Sequence, residues 1–184
     1  MFTARRARLA GVTVAPGIRA RTLYAAPADR PLRPGEPLFA RLIEMQAGSR
    51  WTNPAPGHQC EWLVLQGSVR LDDMVLRLRD YHLAPAGSAA RELRTDEAAV
   101  LFLRELAATA GAAIAPRTVY DKHAGWPDFA PGIQRRVLWQ HEGEASMLYF
   151  LQPGVQVAHH GHEHDEECLM LQGDLFLDDV LLQP

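Results

Sequence analysis

The sequence contains only two cysteines, Cys60 and Cys168, among its 184 residues. Two cysteines are too few for a disulfide framework, and so low a number is typical of a protein in a reducing compartment. We therefore expect a cytoplasmic protein without a disulfide. The chain also lacks an apolar run near the ~20 residues that a membrane-spanning helix needs, and its first residues lack the apolar segment of a secretory signal. We therefore expect no membrane association.

The sequence has no excess of basic charge either. Its 19 Lys and Arg residues stand against 22 Asp and Glu, which gives a net charge of −3. Binding to nucleic-acid phosphates requires a clustered basic face, so we predict no nucleic-acid partner. The apolar fraction of 47% and the charged fraction of 22% are those of an ordinary folded globular protein.

Helical periodicity is nearly absent from the sequence. Only residues 104–116, RELAATAGAAIAP, have the composition of a short helix, and they fit a linker equally well. Short runs of branched and aromatic residues, broken by Gly, Pro and Asp-Asp, predict strands instead. The clearest strand regions are residues 38–45, 61–71, 74–84 and 98–106.

The chain contains an internal repeat. Residues 60–76, CEWLVLQGSVRLDDMVL, align without a gap with residues 166–182, EECLMLQGDLFLDDVLL. The same register pairs Gly48 with Gly154. Such self-similarity predicts two copies of one structural unit.

An upstream match extends the repeat with a shift of nine residues. APGIRARTLY, residues 15–24, matches APGIQRRVLW, residues 130–139. The Pro-rich residues 26–37 account for the shift as a loop insertion, which a protein surface tolerates at little cost. We predict two β-rich halves, half one (1–110) and half two (126–184), joined by a linker (111–125).

Half of the eight histidines lie between Gly154 and Gly173. The spacing is Gly154, five residues, His160, one residue, His162, three residues, Glu166, six residues and Gly173. This is the spacing of the first conserved motif of the cupin superfamily. The Pro-Gly-Ile openings, the E-E-x-L-x-L-x-G run and the Asp-Asp turns resemble the ChrR-like cupins, whose members include the metal-binding domain of an anti-sigma factor and a diketone-cleaving dioxygenase.

The resemblance covers nearly the whole chain and implies an all-β fold. Each half would be a cupin barrel, also called a double-stranded β-helix or jelly roll, and the two in tandem would make a bicupin. Half one also contains the skeleton of the second cupin motif at Pro85 and Gly87. Pro184 aligns with Leu78, so the counterpart of residues 79–106 is not reached. We interpret barrel two as truncated at its C-terminus, without the fourth histidine ligand of the family, or as completed by a partner chain.

The resemblance implies that His160, His162 and Glu166 are metal ligands. In an extended strand His160 and His162 project to the same side, and Glu166 would re-enter on the next strand, sharing its face with Cys168 and Met170. Two imidazoles and one carboxylate suit non-haem Fe(II) and also fit Zn, Mn, Ni or Co. We expect one divalent ion, Zn or Fe first. The alternative is that this segment is a solvated loop that binds no metal. For the other polar residues of the segment we expect contact with solvent or with the ligand side chains; these residues are His159, Glu163, His164, Asp165 and Glu167.

Half one has no such ligand set. In register, the histidine positions are Pro54 and Pro56, the glutamate position is Cys60, and the second-motif histidine position is Ala90. We expect no metal there, and we expect Trp62, on the same face as Cys60, to fill the former site as core. We assign Trp51, Trp126 and Trp139 to packing, the two Asp-Asp pairs to turns, and no role to His82, His123 and His141.

Three functions are consistent with this sequence. The first is a metal-dependent enzyme of the non-haem iron dioxygenase type, acting on a small-molecule ligand. The second is a regulatory zinc-binding cupin related to the anti-sigma type, although the helical zinc domain of such factors does not precede half one. The third is a non-catalytic scaffold. We further expect a homodimer associating through strand edges.

Overall fold

The computed structural model describes residues 6–33, 36–53, 57–107, 114–158, 166–177 and 179–184. Over these ranges the chain forms strands and two single-turn 3-10 helices, Arg6–Arg8 and Asp121–His123, and no α-helix. The strands are β1 (Gly11–Ala15), β2 (Ile18–Ala25), β3 (Pro37–Met45), β4 (Arg50–Asn53), β5 (Gln59–Gln66), β6 (Ser68–Leu71), β7 (Met74–Arg77), β8 (Tyr81–Ala84), β9 (Arg91–Arg94), β10 (Ala99–Leu106), β11 (Arg117–Val119), β12 (Asp128–Ala130), β13 (Ile133–His141), β14 (Glu144–Leu151), β15 (Leu175–Leu177) and β16 (Val180–Leu182).

The strands of half one form two facing sheets. A seven-stranded sheet has the order β1-β2-β3-β10-β5-β8-β11, and a four-stranded sheet has the order β4-β9-β6-β7. All pairings are antiparallel. β5 lies between β10 and β8, and six of its eight residues are buried. That burial on both faces explains why apolar residues occur on both sides of the strand, as at Trp62 and Leu63.

The main core lies between these two sheets. Alternate residues of β5 point into it, with Cys60, Trp62 and Val64 all buried. Trp62 is only 1% exposed. The four-stranded sheet contributes the other side of the core, through Val69, Leu71, Leu76 and Leu93.

Half two contains a three-stranded antiparallel sheet, β12-β13-β14, and the hairpin β15-β16. The matched Pro-Gly turns begin β2 and β13 in the same way. Gly17 and Gly132 both have φ of +73°, a left-handed conformation that favours glycine. The Pro-rich insertion of half one lies in the β2–β3 connection, whereas β13 and β14 are joined by a turn at Glu142 and Gly143.

A second apolar cluster joins the halves. Leu63 of β5 and Leu83 of β8 lie on the outer face of the seven-stranded sheet and pack with Trp139 and Leu148 of β13 and β14. β11, inside the predicted linker, extends the sheet of half one by pairing with β8. The outer face of half one is therefore a packing surface for half two.

A buried arginine adds a polar contact near this cluster. Arg136 of β13 is 4% exposed and pairs with Asp121. Its guanidinium also donates to the carbonyl oxygens of Ala124 and Gly125 and lies 4.1 Å from the ring centre of Trp126. These four contacts satisfy a buried guanidinium and fix β13 against the segment that precedes it.

The predicted all-β fold is confirmed. The strand regions predicted at residues 38–45, 61–71, 74–84 and 98–106 all contain strands. Residues 104–106 of the helix candidate end β10 instead of starting a helix, and 108–113 lie outside the described residues. No helix in the described ranges has the length and apolarity to cross a bilayer.

Candidate metal centre

The structure describes one of the three predicted ligands. Glu166 lies on the surface outside any strand, whereas His160 and His162 fall outside the described residues. The neighbouring candidates at 159 and 163–165 also fall outside them. Among the described residues, no group of three His, Cys, Asp or Glu side chains is placed to hold a metal ion. The ligand set His160, His162 and Glu166 stays a prediction.

The glycines that flank the motif have the same backbone conformation in both halves. Gly154 has φ of +80°, and its counterpart Gly48 has +76°. Gly173 has +75°, and its counterpart Gly67 has +69°. Residues with a Cβ adopt these values at a cost of roughly 1–2 kcal/mol. The repeat therefore preserves the two turns that bracket the motif, even where the ligand positions differ.

The segment after the motif differs from the expectation. The sequence predicts a strand on which Glu166 shares a face with Cys168 and Met170, but residues 166–172 form no strand and Cys168 is exposed. The equivalent β5 is held by β10 and β8 on its two sides.

The side chain of Glu167 contacts half one. Its carboxylate lies 3.0 Å from Nε of Arg104 in β10. Partial removal from water raises the pKa of the Glu167 carboxyl, the nearby Glu61 carboxylate adds to this rise, and Arg104 opposes it. Burial, with Glu61 beside the hydroxyl, also raises the pKa of Tyr81. The residue next to the predicted carboxylate ligand therefore lies in a charged junction between the halves.

The former site of half one is filled by core, as predicted. Cys60 and Trp62 are buried in the main core, while the two proline positions lie outside the described residues. Glu105 of β10 is the cross-strand partner of Cys60 and is 5% exposed. Burial raises the pKa of Glu105, and Arg41 and His58 partly oppose this rise.

His82, to which the sequence assigned no role, is a buried residue of half one. It is 3% exposed, its Nδ1 lies 2.8 Å from Oγ1 of Thr118, and its ring centre lies 5.7 Å from that of Trp62. Burial lowers the pKa of His82 to about 4; Arg91 lowers it further and Asp72 opposes. The imidazole is therefore neutral at neutral pH.

The other aromatic and acidic assignments are confirmed where they can be seen. Trp51 packs against the main core, and Trp126 and Trp139 belong to the cluster between the halves. Asp72 lies in the β6–β7 turn with φ of +51°, and its carboxylate accepts from the backbone N–H of Glu92. Asp178, in the equivalent β15–β16 turn, lies outside the described residues.

Two histidines without an assigned role lie at a cleft. His123 and His141 line a space of about 660 Å³ between β11 and β13, together with Tyr120 and Trp139. Sequence reasoning also missed Arg104. Its one signal was indirect: Glu61 and Glu167 occupy the same position of the repeat, so an acidic side chain is retained twice within apolar runs.

Solved structures share the fold at low sequence identity. A Pseudomonas aeruginosa protein named as glyoxylate-induced has a TM-score of 0.50 and 12% identity, over 67% of this chain and 50% of that one. An RmlC-like cupin from Shewanella frigidimarina has a TM-score of 0.47 and 16% identity, over 60% and 94%. A chain of the Rhodobacter sphaeroides SigE complex with the anti-sigma ChrR has a TM-score of 0.44 and 19% identity, over 55% and 50%.

This chain thus spans about half the length of the SigE–ChrR chain that it matches. No curated protein is detectably similar to it in sequence. The ChrR Cupin-like domain family model matches residues 115–179, a range that contains the motif between Gly154 and Gly173. Residues 115–179 are therefore similar in sequence to the ChrR Cupin-like domain family.

Proposed function

We propose that this chain is a cupin that binds one divalent metal ion through His160, His162 and Glu166. One observation carries the proposal: all three residues lie inside the segment matched by the ChrR Cupin-like family, at the spacing of the metal-binding motif.

The donor set fits such an ion by its chemistry. Imidazole nitrogen and carboxylate oxygen are ligands of Zn, Fe(II), Mn, Co and Ni. Glu166 is exposed, so an ion can reach its carboxylate from solvent. An ion held by three protein ligands keeps coordination positions open and can polarise a small-molecule ligand as a Lewis acid.

The open positions favour an enzyme of the non-haem iron dioxygenase type as the first candidate, with a small molecule as its ligand. A regulatory zinc-binding module is the second candidate. The observation that favours the second is the matched family, which takes its name from ChrR, the anti-sigma partner in the SigE complex. The two candidates differ in the metal and in the need for an open coordination position.

Elemental analysis of tag-free protein tests the metal site. We expect close to one equivalent of metal in the wild type and a loss of that metal in His160→Ala and in Glu166→Gln. The matched control is His159→Ala, which removes a neighbouring imidazole from a position that is not a ligand in the motif. Metal-free protein after reconstitution with Fe(II) and with Zn(II) would overturn the proposal.

The identity of the metal separates the two candidates. Stoichiometric iron, with oxygen consumption in the presence of a small-molecule substrate, supports the dioxygenase. Stoichiometric zinc that resists replacement by iron supports the regulatory module. Equal loss of metal in His159→Ala and His160→Ala would instead indicate nonspecific binding by the histidine-rich segment.

Self-association in the cytoplasm completes the proposal. Large apolar side chains of half two are exposed, including Phe176 at 70%, Phe150 at 53% and Phe129 at 52%. Exposed apolar area of this kind is typical of surfaces that bind another protein. Light scattering should give twice the mass of the chain, and a monomeric mass would remove the homodimer.

A further inference from the structure

A buried acidic side chain lies where the two halves meet. Glu61 of β5 is 3% exposed and lies on the outer face of the seven-stranded sheet. The hydroxyl of Tyr81 donates to its Oε2 at 2.9 Å, and the hydroxyl of Ser146 in β14 donates to the same oxygen at 2.5 Å. The amide of Gln59 donates to Oε1 at 3.5 Å. These donors come from both halves, so the carboxylate ties β14 to β5.

Arg104 lies between this carboxylate and a second one. Its Nη1 is 3.8 Å from Oε1 of Glu61, and its Nε is 3.0 Å from Oε2 of Glu167. The side chains of Arg104 and Glu167 are 21% and 31% exposed, so water screens their attraction only in part. Two carboxylates this close to each other repel unless a cation lies between them. Arg104 supplies that cation, and its planar guanidinium has donors on two edges.

The two carboxylates that Arg104 contacts come from the same position of the repeat. Glu61 and Glu167 are equivalent positions of the two halves, and one arginine contacts both. The contact spans 63 residues of sequence, from β10 to the segment that follows the histidine motif. It is therefore a long-range link from the folded sheet of half one to that segment.

The segment 166–172 pairs with no strand in the described part of the chain. None of residues 166–172 belongs to a strand of the described structure. Glu167 directly follows Glu166, so a contact that holds the Glu167 side chain against β10 also limits where the backbone of Glu166 lies.

We propose that Arg104 is a positioning residue for the metal centre: by holding Glu167 at the junction of the two halves, it sets the carboxylate ligand Glu166 in place. The inference rests on the proposed function, since it assigns Arg104 a role toward the same ion. It makes metal affinity in half two depend on a side chain of half one. Arg104 does not itself touch the ion.

The test compares Co(II) affinity, measured by competition with a chelator, in wild type, Arg104→Met and Arg104→Lys. We expect Arg104→Met to bind Co(II) about 10-fold more weakly, the size found when a group that orients a ligand is removed. Arg104→Lys keeps the charge but not the fork and should recover part of the affinity. The visible absorption of bound Co(II), which reports its coordination geometry, should change in Arg104→Met.

Arg91→Met is the matched control. Arg91 pairs with Asp72 at 2.7 Å, and its side chain is 26% exposed, close to that of Arg104, but both partners belong to half one. It should leave Co(II) affinity unchanged. Equal affinity in Arg104→Met and wild type, with both proteins folded, would overturn the inference while the proposed metal centre stands. A wild type that binds no Co(II), Zn(II) or Fe(II) would overturn both.

A second variant and a measurement on metal-free protein keep the inference testable if Arg104→Met does not fold. Glu167→Gln removes the same ion pair by changing its more exposed partner. It should weaken Co(II) binding by a similar factor. In metal-free protein, hydrogen exchange of the peptide covering 166–172 should quicken in Glu167→Gln and not in Arg91→Met. Unchanged exchange would show that the contact does not hold the segment.

Discussion

The two halves carry the same repeat but differ in what holds it. Residues 59–66 form β5 between two neighbouring strands, with Trp62 buried at its centre. The equivalent residues after Glu166 form no strand, and Cys168, the counterpart of Trp62, is exposed. Among the described residues, β5 has a pairing strand on each side, and residues 166–172 have none.

The division of roles follows from the same comparison. Half one has lost the ligand positions and uses its interior as a packed core around Cys60 and Trp62. Half two contains the histidine motif, and its sheet packs against the outer face of half one through Leu148 and Trp139. The matched positions therefore hold a packed core in half one and the histidine motif in half two.

Trp62→Ala gives the largest effect that we predict. Removing a fully buried indole leaves a cavity in the main core and should lower the free energy of unfolding by about 4 kcal/mol. The equivalent change in half two, Cys168→Ala, should alter it by no more than about 0.5 kcal/mol, because the residue is exposed. Urea unfolding followed by tryptophan fluorescence and circular dichroism measures both. Comparable losses for the two variants would mean that position 168 is packed like position 62.

The next effect concerns His82 and pH. Its pKa of about 4 in the folded protein lies below the ordinary 6.5, so between these values the unfolded chain binds a proton that the folded chain does not. The contribution of His82 to the free energy of unfolding is therefore fully present above pH 6.5 and is lost as the pH falls toward 4. Between pH 7 and pH 4 this lowers the free energy of unfolding by about 3 kcal/mol. Arg91 and Asp72 are the charged groups that act on His82, and both remain in the variants below.

Unfolding free energies at pH 7 and pH 4 measure this contribution. His82→Gln keeps a polar group that can bond to Thr118 but does not titrate, so its loss of stability on acidification should be smaller than that of the wild type by about 3 kcal/mol. His123→Gln, at an exposed histidine, should follow the wild type. If His82→Gln also follows it, the imidazole of His82 is not held neutral by burial.

Sequence reasoning reached the fold because the repeat is explicit. Aligning residues 60–76 with 166–182 located β6, β7, β15 and β16 in register, and the Pro-Gly openings located β2 and β13. It failed at residues 166–172, since a local pattern does not state whether pairing strands are present. It also missed Arg104 and His82, because their importance comes from partners far away in the chain, at Glu167 and Thr118.

The smallest predicted effect compares two equivalent glycines. Gly67 and Gly173 both have positive φ, so alanine costs roughly 1 kcal/mol of backbone strain at each position. At Gly67 a Cβ would also lie 2.4 Å from the carbonyl oxygen of Ala98, whereas at Gly173 no atom of the described residues lies within 4 Å of one. Gly67→Ala should therefore lower the free energy of unfolding by about 2 kcal/mol more than Gly173→Ala, the cost of overpacking against backbone.

Gly87→Ala separates strain from contact within half one. Gly87 has φ of +78° and open space around its Cα, so its substitution should cost the same as that of Gly173. If Gly67→Ala and Gly87→Ala are equally destabilised in urea, the close approach of residue 98 to the turn does not matter. If Gly67→Ala alone is strongly destabilised, the turn that ends β5 is tight because the chain returns beside it at the start of β10. That second strand is what half two lacks beside Gly173 among its described residues, and it accounts for the difference between two turns of nearly equal φ.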